Sequence, residues 1–159
     1  MIILDATVLS YPEISEAVRM GMNVLAHMRE MKTAAFPMNV IAVRRSFLEK
    51  NRDVVKRFQQ AYAEATYQFM QSKEKGLSVY TKRLKQKNPK ALEETYQYFA
   101  ASFSFPTRVA HQGLRNTLEM IAQRTPGAKA ETNLDKYLDE STIDELEREG
   151  FFKRLTGKN

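Results

Sequence analysis

Two histidines, His27 and His111, and no cysteine are present among 159 residues. Neither histidine has a second histidine or a carboxylate at metal-ligand helical spacing that would make a convincing site, so no metal site is expected. Without cysteine there is no disulfide, thiol nucleophile or thiolate ligand. Motifs of the type G-x-S-x-G and H-E-x-x-H are absent, as is a glycine-rich phosphate loop. The adjacent Glu93 and Glu94 point in different directions around a helix and do not form a catalytic carboxylate pair. No catalytic residues and no cofactor are therefore expected. Binding is the chemistry left open, and Ser10, Tyr11 and Pro12 are its first candidates. The tyrosines and phenylalanines at 62, 67, 69, 96, 98 and 99 recur at helical spacing, which favours core packing over a ligand cage.

Those candidates lie in LSYPEISEAVRMG, Leu9 to Gly21, after the apolar run MIILDATV. The run reads as a strand. Ser10 and Glu13 have capping-box spacing, Pro12 falls where a missing N–H costs little, and Gly21 is a left-handed stop. Ile14, Ala17 and Val18 form the apolar face of the intervening helix. In open α/β sheets ligands bind beyond the carboxyl ends of strands, which places Ser10, Tyr11 and Pro12 at a binding rim.

Two more strands are expected, at Asn23 to Leu25 and Asn39 to Val43, separated by the loop HMREMKTAAFP. Beyond them the pattern is helical. Ser46 and Glu49 repeat the capping-box spacing, and Asn51 or Asp53 caps a long helix with Val54, Val55, Phe58, Ala61, Tyr62, Ala65 and Phe69 on one face, stopping near Gly76. A helix across Leu77, Tyr80 and Leu84 follows, and another starts at Asn88-Pro89 with Leu92, Tyr96 and Phe99 on one side. Phe105-Pro106 breaks the chain before a helix from Thr107 to Arg124, closed by Thr125-Pro126-Gly127. A last helix is bounded by Ser141 with Asp144 at its start and Gly150 at its end. No fixed-period repeat relates these helices. The expected organisation is one compact unit, α/β but predominantly helical, with a short sheet in residues 1–44 and helices in 45–159.

The 25 basic against 19 acidic residues give a net charge of +6, compatible with nucleic acid, an anionic surface or simple solubility. The densest tract, KRLKQKNPK from Lys82 to Lys90, carries no aromatic for base stacking and reads as a solvated helix end. No stretch reaches the ~20 apolar residues of a membrane span, and MIILDATVL lacks a signal peptide's basic start. A chain so written would stay in the cytoplasm.

Taken in order, DATVLSYPEISEAVRMG, FPMNVIAVRRSFLEKNRDVVKRFQQAYAEA and LDESTIDELEREGFF resemble the solute-binding proteins of ABC importers for nitrate, sulfonate, taurine and thiamine-pyrimidine precursors. The likeness runs from Asp5 to Phe152 and rests on a D-A-x-x-L-S-x-P turn, a P-x-x-x-x-x-V-x-R-x-F-L-x-K-N crossover, an A-Y-x-E-A helix and a terminal G-F-F. The resemblance implies the C-terminal half of a type II periplasmic-binding-protein fold, in which two lobes clasp a small solute for delivery to an ABC permease. It implies a truncated or fragmentary member, one whose intact relatives are periplasmic or membrane-anchored. Ser10, Tyr11 and Pro12 then match the turn lining the cleft, and Phe36 and Pro37 match the approach to the hinge. Pro12 removes a donor and Glu13 adds negative charge, so a neutral or aromatic solute stacked near Tyr11 suits this turn as well as a sulfonate does. A homo-oligomer is expected, with strand Ile2–Val8 or helix Val54–Met70 at its interface. The alternative is a small basic helical module that binds nucleic acid or a protein partner.

Overall fold

Asn88 marks the helix start that local chemistry specifies best. Its side chain accepts from the N–H groups of Lys90 and Ala91 at 3.0 and 3.2 Å, and Pro89 opens the first turn. The computed structural model describes residues 5–31, 35–37, 39–84 and 88–157. Eight α-helices are found among them: α1 (Glu13–Arg19), α2 (Arg45–Lys50), α3 (Arg52–Gln71), α4 (Lys73–Leu84), α5 (Pro89–Ser102), α6 (His111–Arg124), α7 (Ser141–Arg148) and α8 (Phe151–Thr156). Short 3-10 turns occupy Met28–Glu30 and Leu134–Lys136.

No strand or sheet occurs among the described residues, and the α/β expectation is corrected to an all-helical fold, 63% helix. Residues 5–8, 23–25 and 39–43 are irregular and exposed, with Val8 at 80% and Leu25 at 84%. Ile2, Ile3 and Leu4 of the first expected strand lie outside the described residues. The physical reason is that a strand's backbone groups are satisfied only by a neighbouring strand. Apolar character in these runs supplies the side chains of a sheet but not its partner.

The chain divides into two compact units. The first comprises residues 1–25 and 66–103. Here α1 and α4 both pack on α5. Gly76, expected to end a helix, lies inside α4, because a side chain at 76 would collide with the ring of Tyr96. The preceding helix ends instead at Gln71, and only Ser72 separates it from α4. Tyr96 is buried, and its hydroxyl donates to the Phe69 carbonyl at 3.1 Å. Phe69 in turn meets the rings of Tyr80, Tyr96 and Phe103 at centroid distances of 5.3, 5.1 and 5.6 Å. Of the aromatic set at helical spacing, Tyr96 is buried, Tyr67, Phe69, Tyr98 and Phe99 are half-buried, and Tyr62 is exposed, so the core expectation holds for part of it.

The second unit comprises residues 26–65 and 104–159. Its core is Ala63, Ile143, Leu146, Phe151 and Phe152, with Phe105 and Leu155 packed against it. Gly150 ends α7 at φ +70°, a left-handed conformation that lets Phe151 and Phe152 turn straight into α8 and under the core. Other local signals act differently from expectation. α6 starts at His111 rather than Thr107, and Ser46 makes no cap because Arg44 occupies that place without a side-chain bond. At α7 it is Asp139, not Ser141, that accepts from a backbone N–H, that of Ser141 at 3.0 Å.

Candidate functional site

Ser10, Tyr11 and Pro12 lead into α1, within the first unit. The capping box does not form: Pro12 occupies the cap and no side chain bonds to the free N–H groups. The backbone supplies the turn instead. The Ser10 carbonyl accepts from Ile14 N at 3.0 Å and the Pro12 carbonyl from Ser15 N at 3.1 Å. The Tyr11–Pro12 peptide is cis, and the hydroxyl of Ser10 lies on an exposed residue.

Tyr11 stacks on Tyr98 of α5, with ring centroids 4.7 Å apart and planes inclined by 32°. Tyr98 meets the edge of Phe99 at 5.3 Å, and Phe99 meets Tyr80 at 6.4 Å. Tyr11 is therefore one end of an aromatic array of four rings, each of them half-buried. Burial pushes the Tyr80 phenol up to about 12, so it stays a neutral hydrogen-bond donor. At the Tyr11 end, Glu13 and Glu16 occupy the first turn of α1. Their charge disfavours an anion there and leaves an aromatic face with phenolic edges suited to a planar, neutral solute. Tyr98, the partner that completes this face, was assigned to the core by its spacing, and nothing local in the sequence singles it out.

Phe36 and Pro37 belong to the second unit. Their backbone lies on α6 at the buried Gly113, where a Cβ would come within 3.2 Å of Phe36 N and Pro37 Cδ. Asn116 Nδ2 donates to the Ala35 carbonyl at 3.0 Å and fixes the same segment. The Phe36 side chain is 49% exposed. Gly113 is the residue sequence reasoning passed over; its signal was a glycine inside an otherwise amphipathic helical run.

Charged groups of the second unit converge on α7. Arg108 bonds Asp144 and Glu147 at 2.8 and 2.6 Å and lies 3.5 Å from Glu140. Partial burial works against its charge, but the bonds to Asp144 and Glu147 outweigh this and raise its pKa. His111 Nε2 is 3.0 Å from Glu140 Oε2, a carboxylate that helical spacing did not reveal because it arrives from another helix start. Arg52 donates from Nε to Glu145 at 3.0 Å and from Nη1 to Ser141 Oγ at 3.1 Å, holding the Glu145 carboxyl below its usual range. An open groove of about 550 Å³ runs over Arg52, Ser141, Asp144, Glu147 and Arg148. Of its lining charges, Arg52 pairs with Glu145, and Asp144 and Glu147 pair with Arg108, which is a structural network rather than a prepared charge for a ligand. No group of metal-ligating side chains assembles among the described residues.

No protein-family model, curated protein or solved structure matches the chain.

Proposed function

We infer that the chain acts by binding a small planar solute at the Tyr11 face, as a solute-binding component of an ABC-type importer. The observation that carries this is the Tyr11–Tyr98 pair, a half-exposed aromatic step at the turn that the sequence resemblance implies for the solute. The ordered motifs from Asp5 to Phe152 supply the class of activity. The reading assigns binding and presentation to the chain, with no bond made or broken. It rests on first-unit residues alone, and Phe36 and Pro37 carry no part of it. Basic side chains favour the nucleic-acid alternative less, since Arg19, Arg52, Lys56, Lys73 and Arg108 all spend their charge on carboxylates.

Calorimetric titration with an aminopyrimidine, taurine, an alkanesulfonate and nitrate tests it. The aminopyrimidine is expected to bind best. Stacking on one aromatic side chain is worth about 1–3 kcal/mol, so Tyr11→Ala should weaken binding roughly tenfold or more while Tyr11→Phe retains it. Absence of heat with every solute, or an unchanged affinity in Tyr11→Ala, would remove the reading.

A further inference from the structure

Within the second unit, α3 carries a face that its own unit does not cover. Val54, Phe58, Ala61 and Ala65 follow one another at steps of four, three and four residues, the a/d repeat of a helix–helix seam. All four are exposed, Val54 at 43% and Phe58 at 53%, whereas Val55 and Ala63 on the other side of the helix are buried. Along the seam, size is polarised: the two large residues come first and the two small ones last. Charge is polarised in the same direction. Arg57 precedes Phe58, and Glu64 follows Ala61 by three residues.

We propose that α3 pairs antiparallel with α3 of a second copy across a two-fold axis, burying this seam. In that register Phe58 of each copy covers Ala61 of the other and Val54 covers Ala65. The same register brings Arg57 beside Glu64 twice, in the flanking positions that meet in antiparallel helix pairs. A parallel pairing would set Phe58 on Phe58, opposing bulk to bulk, and would not bring Arg57 and Glu64 together. Among the described residues, nothing competes strongly for these flanking charges. Arg57 bonds Asp53 at 3.0 Å, but both side chains are at least 70% exposed and the pair is easily exchanged. Glu64 has no ion-pair partner among the described residues.

The size of the seam sets the strength. At about 200 Å² per aromatic side chain, Phe58 at 53% and Tyr62 at 38% exposure leave roughly 180 Å² uncovered. Val54 and the two alanines bring the apolar area to roughly 300 Å² per copy, about 600 Å² for the pair and below the ~1,000 Å² of a stable interface, so the pairing is weak and transient. This assembly does not rest on the solute-binding reading, and its failure would leave that reading untouched.

Sedimentation velocity on the full chain, from ~5 to ~500 μM, is the test. The 18.4 kDa species at low concentration is expected to give way to a dimer as concentration rises. Phe58→Glu should stay monomeric throughout. Arg57→Glu and Glu64→Arg should each weaken the dimer about tenfold, and the double exchange should recover it to within about threefold of the parent. Far-UV circular dichroism checks that each variant stays helical. A monomer at every concentration, a dimer indifferent to Phe58→Glu, or a double exchange no better than either single one would overturn the proposal.

Discussion

Replacing Gly76 by alanine sets two effects of known sign against each other. In an exposed helix interior the change stabilises by roughly 1 kcal/mol, because alanine loses less backbone entropy than glycine. At position 76 the new Cβ would sit 2.5 and 2.6 Å from Cε2 and Cδ2 of Tyr96 and 3.1 Å from Cε2 of Phe69. Carbon atoms pack comfortably at about 3.5–4.0 Å, so the Tyr96 ring must retreat by about 1 Å. It has little room to do so. Tyr96 is 7% exposed, its ring meets Phe69 at 5.1 Å, and its hydroxyl is tied to the Phe69 carbonyl. Overpacking of this kind costs about 1–3 kcal/mol, and loss of the tyrosine hydrogen bond adds about 1 kcal/mol. After the helix gain is subtracted, Gly76→Ala is expected to destabilise by about 1–3 kcal/mol, or roughly 3–10 °C in Tm for a chain of this size. Urea denaturation followed by far-UV circular dichroism measures it. In a Tyr96→Leu background the ring is gone, and the same alanine should become neutral or stabilising by up to about 1 kcal/mol. An alanine variant as stable as the parent would refute the placement of Tyr96 against α4.

Asn88→Ala removes the acceptor for two backbone N–H groups and should cost about 1 kcal/mol in the same denaturation assay, whereas Asn88→Asp should cost little. The acid limb of stability is expected to follow Glu145, whose carboxyl is held below its ordinary 4.5 chiefly by the hydrogen bond from Arg52. A depressed folded-state pKa contributes stability above the unfolded value and loses it as pH falls through the folded one, so the loss should run downward from about pH 4.5. Arg52→Gln should move the Glu145 titration upward in carboxyl-detected NMR, and an unmoved titration would contradict the pairing.

Some signals that act within three or four residues were legible, although the capping boxes at Ser10 and Ser46 did not form. Asn88-Pro89 starts α5, Thr125 follows α6 immediately, and Gly150 ends α7, each because a cap or a left-handed residue serves its nearest neighbours. Signals that need a distant partner were not. The runs at 5–8, 23–25 and 39–43 have strand-like composition, but what decides a strand is the segment beside it, which composition does not encode. Gly76 and Gly113 look like breakers in one dimension and are contact points in three, opposite Tyr96 and Phe36-Pro37. At the candidate site, Tyr11 was visible as an aromatic beside a proline. Its partner Tyr98 was not, because only the packing of α1 on α5 brings the two together.

That packing also has a consequence in time. α1 spans seven residues, well short of the dozen or so that an isolated helix needs to persist in water. Its support comes from α5, which leaves the ribosome much later. At elongation rates of about 5–20 residues per second, Tyr11 waits on the order of ten seconds for Tyr98. During that interval the Tyr11 turn has no second ring, and nascent chains halted before Pro89 cannot assemble the pair. On the ribosome, the Tyr11–Tyr98 pair is thus among the later features of its unit to appear.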